Sequence, residues 1–370
     1  MKILLDKRKP IPLYRQLKES LKEKILSQEL FPNQVIPSLQ ELTSTLEVSK
    51  ITVRQAIREL TQEELLITVP GKGTFVAEPK VNVSRLFSIA MLIPETTNFF
   101  APLIQGVEDF AQEKGYHLII CNTEYNVKKT AKYVSEFEER NNIDGIISAP
   151  PREGGQVLMD YIKHLRKHPF VLIEVAMEQV EGLEVDCVCM DSYAGAYQAV
   201  SHLIKLGHKR IAYMGTNLRD YFTDNERLNG YRDALVDSGL PFDASLVLNI
   251  GGTKYFQMIK NFLLEQKPTA MFSFNDNQAR EVFDVAKAVG LKVPHDLSLV
   301  GYDDTEVAKY LEVPLTTVSP PKYEMGKKAA WILIDKVEGK AKDCQQILLE
   351  PTLVFRQSTA ERGGELGKKQ

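Results

Sequence analysis

From residue 86 onward the chain alternates two patterns, a short and almost wholly apolar run followed by an amphipathic stretch of helical period. The apolar runs are "SIAMLIP", "HLIICN", "DGIISAP", "FVLIEV", "CVCMD", "RIAYMG", "AMFSFN" and "LSLVGYDD"; stretches such as "PLIQGVEDFAQEKG" and "YAGAYQAVSHLIKLG" separate them. A strand that is apolar on both faces has no solvated side, so helices must cover it above and below. That requirement predicts an α/β fold with parallel, doubly wound sheets. The region is too long for one such sheet, so two lobes are expected. In these sheets ligands bind beyond the carboxyl ends of the strands, which directs attention to "PETTNFF", "NDNQ" and "YDDT".

The first 77 residues follow another pattern. "PLYRQLKESLKEKILSQEL" carries Leu13, Leu17, Leu21 and Ile25 at helical spacing, and "FPNQVIP" punctuates its end. "SLQELTSTL" opens with Ser38 and has Glu41 three residues on, a capping-box start for a second helix. Ser49 then precedes "KITVRQAIREL" as the N-cap of a third, after the tight "EVS". Two helices across a short turn form a helix-turn-helix. In the third helix Val53, Ala56, Ile57 and Leu60 make the apolar stripe, while Lys50 and Arg54 face outward at the end such a helix pushes into a major groove. Taken alone, this pattern suits a solvated amphipathic helix as well. "LLITVPGKGTFV" favours the groove-binding reading: strand, Pro-Gly-Lys-Gly turn and strand make a wing whose glycines, Gly71 among them, let the backbone approach phosphates or a groove while Lys72 supplies charge. The Gly-Lys-Gly is not a phosphate-binding P-loop, since it lacks the upstream glycine and the Lys-Ser/Thr ending.

Charge agrees with that division. Residues 1–80 hold 13 Lys+Arg against 10 Asp+Glu, a net of +3 that leaves −6 for the other 290 residues. A basic head on an acidic body suits nucleic-acid binding by the head. "MKILLDKRKP" has too few apolar residues for a secretory signal, and the apolar runs fall short of the ~18 residues of a membrane span. A cytoplasmic, nucleoid-associated protein without membrane contact is expected. Cys121, Cys187, Cys189 and Cys344 form no Cys-x-x-Cys and are expected as free thiols. His202 and His208 lack a third ligand, so no metal site is expected.

"PLYRQL", "IPSLQEL", "VSKITVRQAIREL" and "GKGTFV", in order over residues 12–76, resemble the GntR family of winged helix-turn-helix regulators. The resemblance implies that Ser38, Gln40, Ser49, Lys50, Thr52, Arg54, Gly71 and Lys72 face DNA. Gln40 and Lys50 stand where that family usually has arginine, so the bidentate guanine contacts differ. "NFFAPLIQGVEDFAQEKGY", "HLIKLGHKRIAYMG", "RLNGYRDAL", "PTAMFSFND" and "LSLVGYDDTEVAKYLEVPLTTV" resemble the effector-binding body of LacI/GalR regulators, which has the two-lobed fold of periplasmic sugar-binding proteins. That resemblance implies a dimer and a small polar ligand, usually a sugar or sugar phosphate. Arg227, Asn275 and Asp303 would supply the polar contacts and Phe99 would cover an apolar sugar face. Other roles are open to these residues: an interlobe ion pair for Arg227, core for Phe99, and helix caps for Asp276, Asp303 and Asp304. This chain departs from the pattern at Glu174-Val175, where many relatives have Asp-Arg, and at "VSPP" (318–321), where a polar contact is common. The minor-groove hinge helix of LacI relatives is also absent.

The expected domains are a head at 1–77, a polar tether at 78–86, a two-lobed body at 87–360 and a polar tail at 361–370. A GntR head on a LacI-type body resembles the arabinose-repressor subfamily, which implies a repressor dimer on a palindromic operator, answering to a monosaccharide and to L-arabinose first. The alternatives are a transport-type sugar-binding protein, which leaves the head unexplained, and an activator with a non-sugar effector. Catalysis is not expected, and no cofactor: the body has no Gly-x-Ser-x-Gly elbow, dinucleotide fingerprint or metal-ligand cluster.

Overall fold

The computed structural model describes every residue except 1, 2, 4, 8, 28, 78–86, 97, 98, 141, 152–155, 217–221, 251–254, 342 and 363–370. The expected tether, and the expected tail beyond Arg362, therefore lie outside the described residues. The chain separates into two compact units, Met1–Arg85 and Leu86–Gln370.

The first unit contains α1 (Leu13–Leu26), α2 (Leu39–Leu46), α3 (Lys50–Gln62) and an antiparallel hairpin of β1 (Leu66–Val69) and β2 (Gly73–Val76). Side chains fix both helix starts. The Ser38 hydroxyl accepts from the Glu41 N–H while the Glu41 carboxylate accepts from the Ser38 N–H, which satisfies two donors that a helix N-terminus otherwise leaves open. At α3 the Ser49 hydroxyl accepts from the Thr52 N–H at 3.1 Å. Leu17, Leu21, Ile36, Leu42, Val53, Ala56, Leu60, Leu66 and Val76 close one apolar core over α1–α3 and the hairpin. Lys18 bridges Glu59 of α3 and Glu63 at its C-terminal cap, so both carboxylates are held on the α1 side.

The second unit has two six-stranded lobes. The first lobe runs β3 (Ser88–Ile93), α4 (Phe100–Glu113), β4 (His117–Asn122), α5 (Val127–Arg140), β5 (Gly145–Ser148), α6 (Gln156–Leu165), β6 (Phe170–Ile173), α7 (Met177–Val180) and β7 (Cys187–Met190). The second runs α8 (Ser192–Lys205), β8 (Ile211–Thr216), α9 (Phe222–Asp237), β9 (Val247–Ile250), α10 (Tyr255–Gln266), β10 (Ala270–Ser273), α11 (Asp276–Ala288), β11 (Ser298–Tyr302), α12 (Glu306–Tyr310) and β12 (Thr316–Ser319). The chain then returns through α13 (Lys322–Val337), places β13 (Gln346–Leu349) beside β7, and ends with β14 (Thr352–Val354) antiparallel to β12. All other pairings within the two sheets are parallel, in the orders β13-β7-β6-β5-β3-β4 and β14-β12-β11-β10-β8-β9.

Three segments thus pass between lobes: β7 to α8, β12 to α13, and β13 to β14. Helix α13 packs on α4, and glycine permits the close approach. A Cβ at Gly106 would lie 2.1 Å from the Tyr323 carbonyl oxygen, and one at Gly326 would lie 2.0 Å from that of Leu103. The packed body runs two residues past the expected 360, because the Arg362 N–H donates to the Leu206 carbonyl at 2.7 Å. All four cysteines are free. His208 is held between Thr269 and Ser298, each at 3.0 Å, and His202 bonds Thr359 at 3.1 Å, so both histidines serve packing. No helix among the described residues is long and apolar enough to cross a membrane.

Candidate functional site

In the first unit the outward surface of α3 carries Lys50, Ile51, Arg54, Gln55 and Arg58, all exposed, opposite the buried Val53, Ala56 and Leu60. Among the described residues neither Lys50, Arg54 nor Arg58 forms an ion pair. Arg58 is exposed on the same side and belongs with these outward cations. Ser38, Gln40 and Ser49 are exposed at the helix starts, with the two serine hydroxyls engaged as caps, and Thr52 is half-buried with its hydroxyl 2.9 Å from that of Ser49. Gly71 turns the hairpin at φ 76, a left-handed conformation that glycine adopts without strain, and Lys72 beside it is exposed. Between α3 and the hairpin runs a groove of about 580 Å³ lined by Leu39, Arg54, Ile57, Arg58, Thr61, Gln62, Thr68 and Thr74, with no carboxylate. A face with this balance attracts a polyanion.

In the second unit both lobes line a cavity of about 280 Å³ at the carboxyl ends of the strands. Glu95, Phe99 and Phe100 follow β3, Tyr125 follows β4, Glu174 follows β6 and Met190 ends β7. The other lobe contributes Arg227 from α9, Phe274, Asn275 and Asn277 after β10, and Asp303 and Thr305 after β11. The four residues expected at a ligand therefore meet in one place. Glu95, Tyr125, Glu174, Met190, Asn277 and Thr305 join them; sequence reasoning assigns none of these six a contact and treats Glu174 only as a departure from the pattern.

Arg227 is 2% exposed. Its guanidinium lies 3.6 Å from the Tyr302 ring centre and 4.3 Å from that of Phe274, and it donates to the Phe274 carbonyl. One nitrogen stands 3.6 Å from the Asp303 carboxylate. Both partners belong to the same lobe, so this is not the interlobe pair open to it on sequence grounds. Two aromatic planes and a carbonyl leave the guanidinium one orientation.

Asp303 and Asp304 do not cap α12, whose N-cap is Thr305. They adopt φ 98 and φ 46, consecutive left-handed conformations that only surrounding contacts can maintain. Those contacts are on hand. Asp303 N–H donates to Val318 at 2.8 Å, Arg356 holds the Asp304 carboxylate at 2.6 Å, and the Lys322 ammonium donates to the Asp303 and Asp304 carbonyls. The same ammonium sits 5.6 Å from the Phe99 ring of the other lobe. Burial pulls the Lys322 ammonium down from its usual pKa, opposed by Asp303 and Asp304. Phe99 is 8% exposed and edge-on to Phe100 at 5.2 Å, so it is both core and cavity wall.

The cap of α11 is Asn275, whose side-chain oxygen accepts from the Gln278 N–H at 2.9 Å and whose amide NH2 remains as its donor. Asp276 is turned inward instead. It is 1% exposed and accepts from the Thr305 N–H at 2.7 Å, the Thr305 hydroxyl at 3.0 Å and the Thr317 hydroxyl at 2.6 Å. Burial, then the charge of Asp303, push its carboxyl up to about 7 against those hydrogen bonds. An acid whose folded pKa exceeds its unfolded value near 3.9 favours the folded state while protonated. Its stabilisation is complete below that unfolded value and is lost as pH rises through about 7. Melting temperatures of the parent and Asp276→Asn from pH 5 to 8 check this. The parent is expected to lose ground to the variant across that window, at up to about 1.4 kcal/mol per pH unit. Glu226, which burial also pushes up to about 7, titrates in both proteins and cancels in the difference. A difference independent of pH would refute the raised pKa.

Chemically, the cavity offers carboxylates that accept from adjacent hydroxyls, an arginine and an amide that donate, and aromatic rings that cover apolar surface.

Residues 13–76 match the model of the bacterial regulatory proteins of the gntR family, and residues 200–359 match that of the periplasmic binding protein-like domain. The chain is 34% identical over 372 residues to the arabinose metabolism transcriptional repressor of Geobacillus stearothermophilus, covering 96% of this chain and 100% of that protein. It is 35% identical over 286 residues to the HTH-type transcriptional regulator DegA of Bacillus subtilis, covering 75% and 82%. Among solved structures, a LacI family regulator from Enterococcus faecium with bound ribose superposes with TM-score 0.62 at 28% identity, covering 74% of this chain and 99% of that one. The CelR–cellobiose complex superposes with TM-score 0.64 at 24% identity over 87% and 100%, a likeness of fold.

Proposed function

Because this chain belongs to the family of bacterial transcriptional regulators that carry a GntR-type head and a LacI-type, periplasmic-binding-protein-like body, we propose that it is a repressor of sugar-metabolism genes whose operator binding is set by a monosaccharide in the cleft, L-arabinose before others. The observation that carries the effector reading is the cavity's two-sided lining. Phe99, Glu95 and Glu174 come from one lobe, and Arg227, Asn275 and Asp303 from the other. A ligand that touches both lobes binds the closed body better than the open one, and that difference is what shifts a population. A cavity of about 280 Å³ sits at the low end for ligand sites, which favours one sugar ring over two.

The head reads DNA through Ser38, Gln40, Ser49, Lys50, Thr52, Arg54 and Arg58, with Gly71 and Lys72 of the wing on the backbone. A cytoplasmic homodimer would present two heads to a palindromic operator. A transport-type role leaves residues 13–76 without a task.

The test begins with a duplex that the protein itself selects from a random pool. Its binding is followed by fluorescence anisotropy with L-arabinose, D-ribose, D-xylose and D-galactose, while thermal shift reports which sugar binds. A change in operator affinity of about 5- to 150-fold, the usual range of allosteric coupling, is expected for the sugar that stabilises the protein. Operator affinity indifferent to every stabilising sugar would end the proposal.

A further inference from the structure

Ile51 is 78% exposed, more than any other large apolar side chain described in the head. It stands in the first turn of α3, one turn before Arg54 and Gln55, on the side away from Val53, Ala56 and Leu60. The other exposed α3 residues on that surface are Lys50, Arg54, Gln55 and Arg58, and the carboxylate of Glu59 is held by Lys18 on the α1 side. An isoleucine cannot bond a phosphate or a base edge. It also gains nothing from water at a position where serine, threonine or lysine would cap or solvate the helix as well. A scattered exposed apolar residue needs no explanation on most surfaces. This one, however, lies on the cationic face at the end of the helix that enters the groove. The major groove displays one apolar group, the 5-methyl of thymine.

We infer that Ile51 is a specificity-determining residue that packs on the 5-methyl group of one thymine in each operator half-site. The inference rests on the DNA-binding reading of the head and adds a base identity to it. Lys50 and Arg54 supply charge and hydrogen bonds to flanking positions, and Ile51 excludes water from the methyl between them.

The experiment uses the full chain and the duplex it selects from a random pool. Each thymine of the half-sites is replaced in turn by deoxyuridine, which keeps every hydrogen-bonding group and removes only the methyl. Affinity is then measured for the parent and for Ile51→Ala and Ile51→Ser. For the parent, one symmetric position is expected to lose about fourfold per half-site, the worth of one buried methyl. Both variants should bind thymine and uracil duplexes equally there, while keeping the parent's discrimination at the other base pairs. Because Ile51 packs on no core residue, both variants should melt with the parent. The inference fails if the parent ignores deoxyuridine at every position, or if the variants retain its loss. A parent that selects no motif would overturn the DNA-binding reading itself, and this inference with it.

Discussion

An Arg54→Ala protein is expected to bind its operator about 5- to 150-fold more weakly than the parent, which corresponds to the ~1–3 kcal/mol that a bidentate arginine–guanine pair contributes. Its thermal response to sugar should be unchanged. Arg54 stands in the second turn of α3, exposed and without an ion pair among the described residues, so truncation breaks no structural contact. Exposed substitutions of this kind change folding stability by no more than about 0.5 kcal/mol. Lys72 provides the contrast. It occupies a tight turn beside Gly71, and the proposed role of that turn is a contact to phosphate and not to a base edge. Lys72→Ala should therefore weaken binding to operator and scrambled duplex alike and reduce the slope of log affinity against log salt by about one. Anisotropy titrations at four salt concentrations separate the two behaviours. If Arg54→Ala holds the operator as tightly as the parent, the recognition surface lies elsewhere on the head.

How far the sequence reveals these sites depends on how local the responsible physics is. The head is legible almost to the residue, because a capping box at Ser38, an N-cap at Ser49 and a Gly-Lys-Gly turn each act over three or four positions. Eight strands of the body are legible for the same reason, being apolar runs long enough to stand out. Strands β9, β12, β13 and β14 are interrupted or opened by polar residues such as Asn249, Thr316, Thr317, Gln346 and Thr352, and for two of them the pairing is set far away in sequence: β13 pairs with β7, and β14 with β12.

The cavity is only half legible. Phe99, Arg227, Asn275 and Asp303 follow from strand ends and family likeness, but which loops of the opposite lobe converge on them is set by the three crossings. Lys322 is the clearest loss. In sequence it is a lysine after two prolines, and only the return of α13 to the first lobe buries it beneath Asp303 and beside Phe99. Local rules also assign Asp276 a capping role, whereas Asn275 takes the cap and Asp276 is drawn inward by Thr305 and Thr317.

Asp303→Asn should remove most of the sugar response and leave operator binding without sugar as it is. The carboxylate faces the cavity 3.6 Å from the Arg227 guanidinium, where its oxygens can accept from two neighbouring hydroxyls of a sugar. An amide retains one acceptor and no charge. A hydrogen bond to a charged group contributes about 1.5–3 kcal/mol, so sugar affinity should fall about 10- to 150-fold. Asparagine tolerates the φ 98 at this position better than alanine, so it tests chemistry and not backbone strain. Asp303→Ala should lose the sugar response too, at a further cost in stability. The head keeps its own core around Leu17, Val53 and Leu60, which is why its DNA affinity should not change. Coupling between two ligands is reciprocal, so operator and sugar must alter each other's affinity by one shared factor. If Asp303→Asn weakens sugar but preserves that factor, the carboxylate grips sugar equally in both body states and other cleft residues drive closure. If the factor collapses towards one, Asp303 makes its contact in the closed body alone. A sugar titration of the variant that overlays the parent's would remove Asp303 from the site.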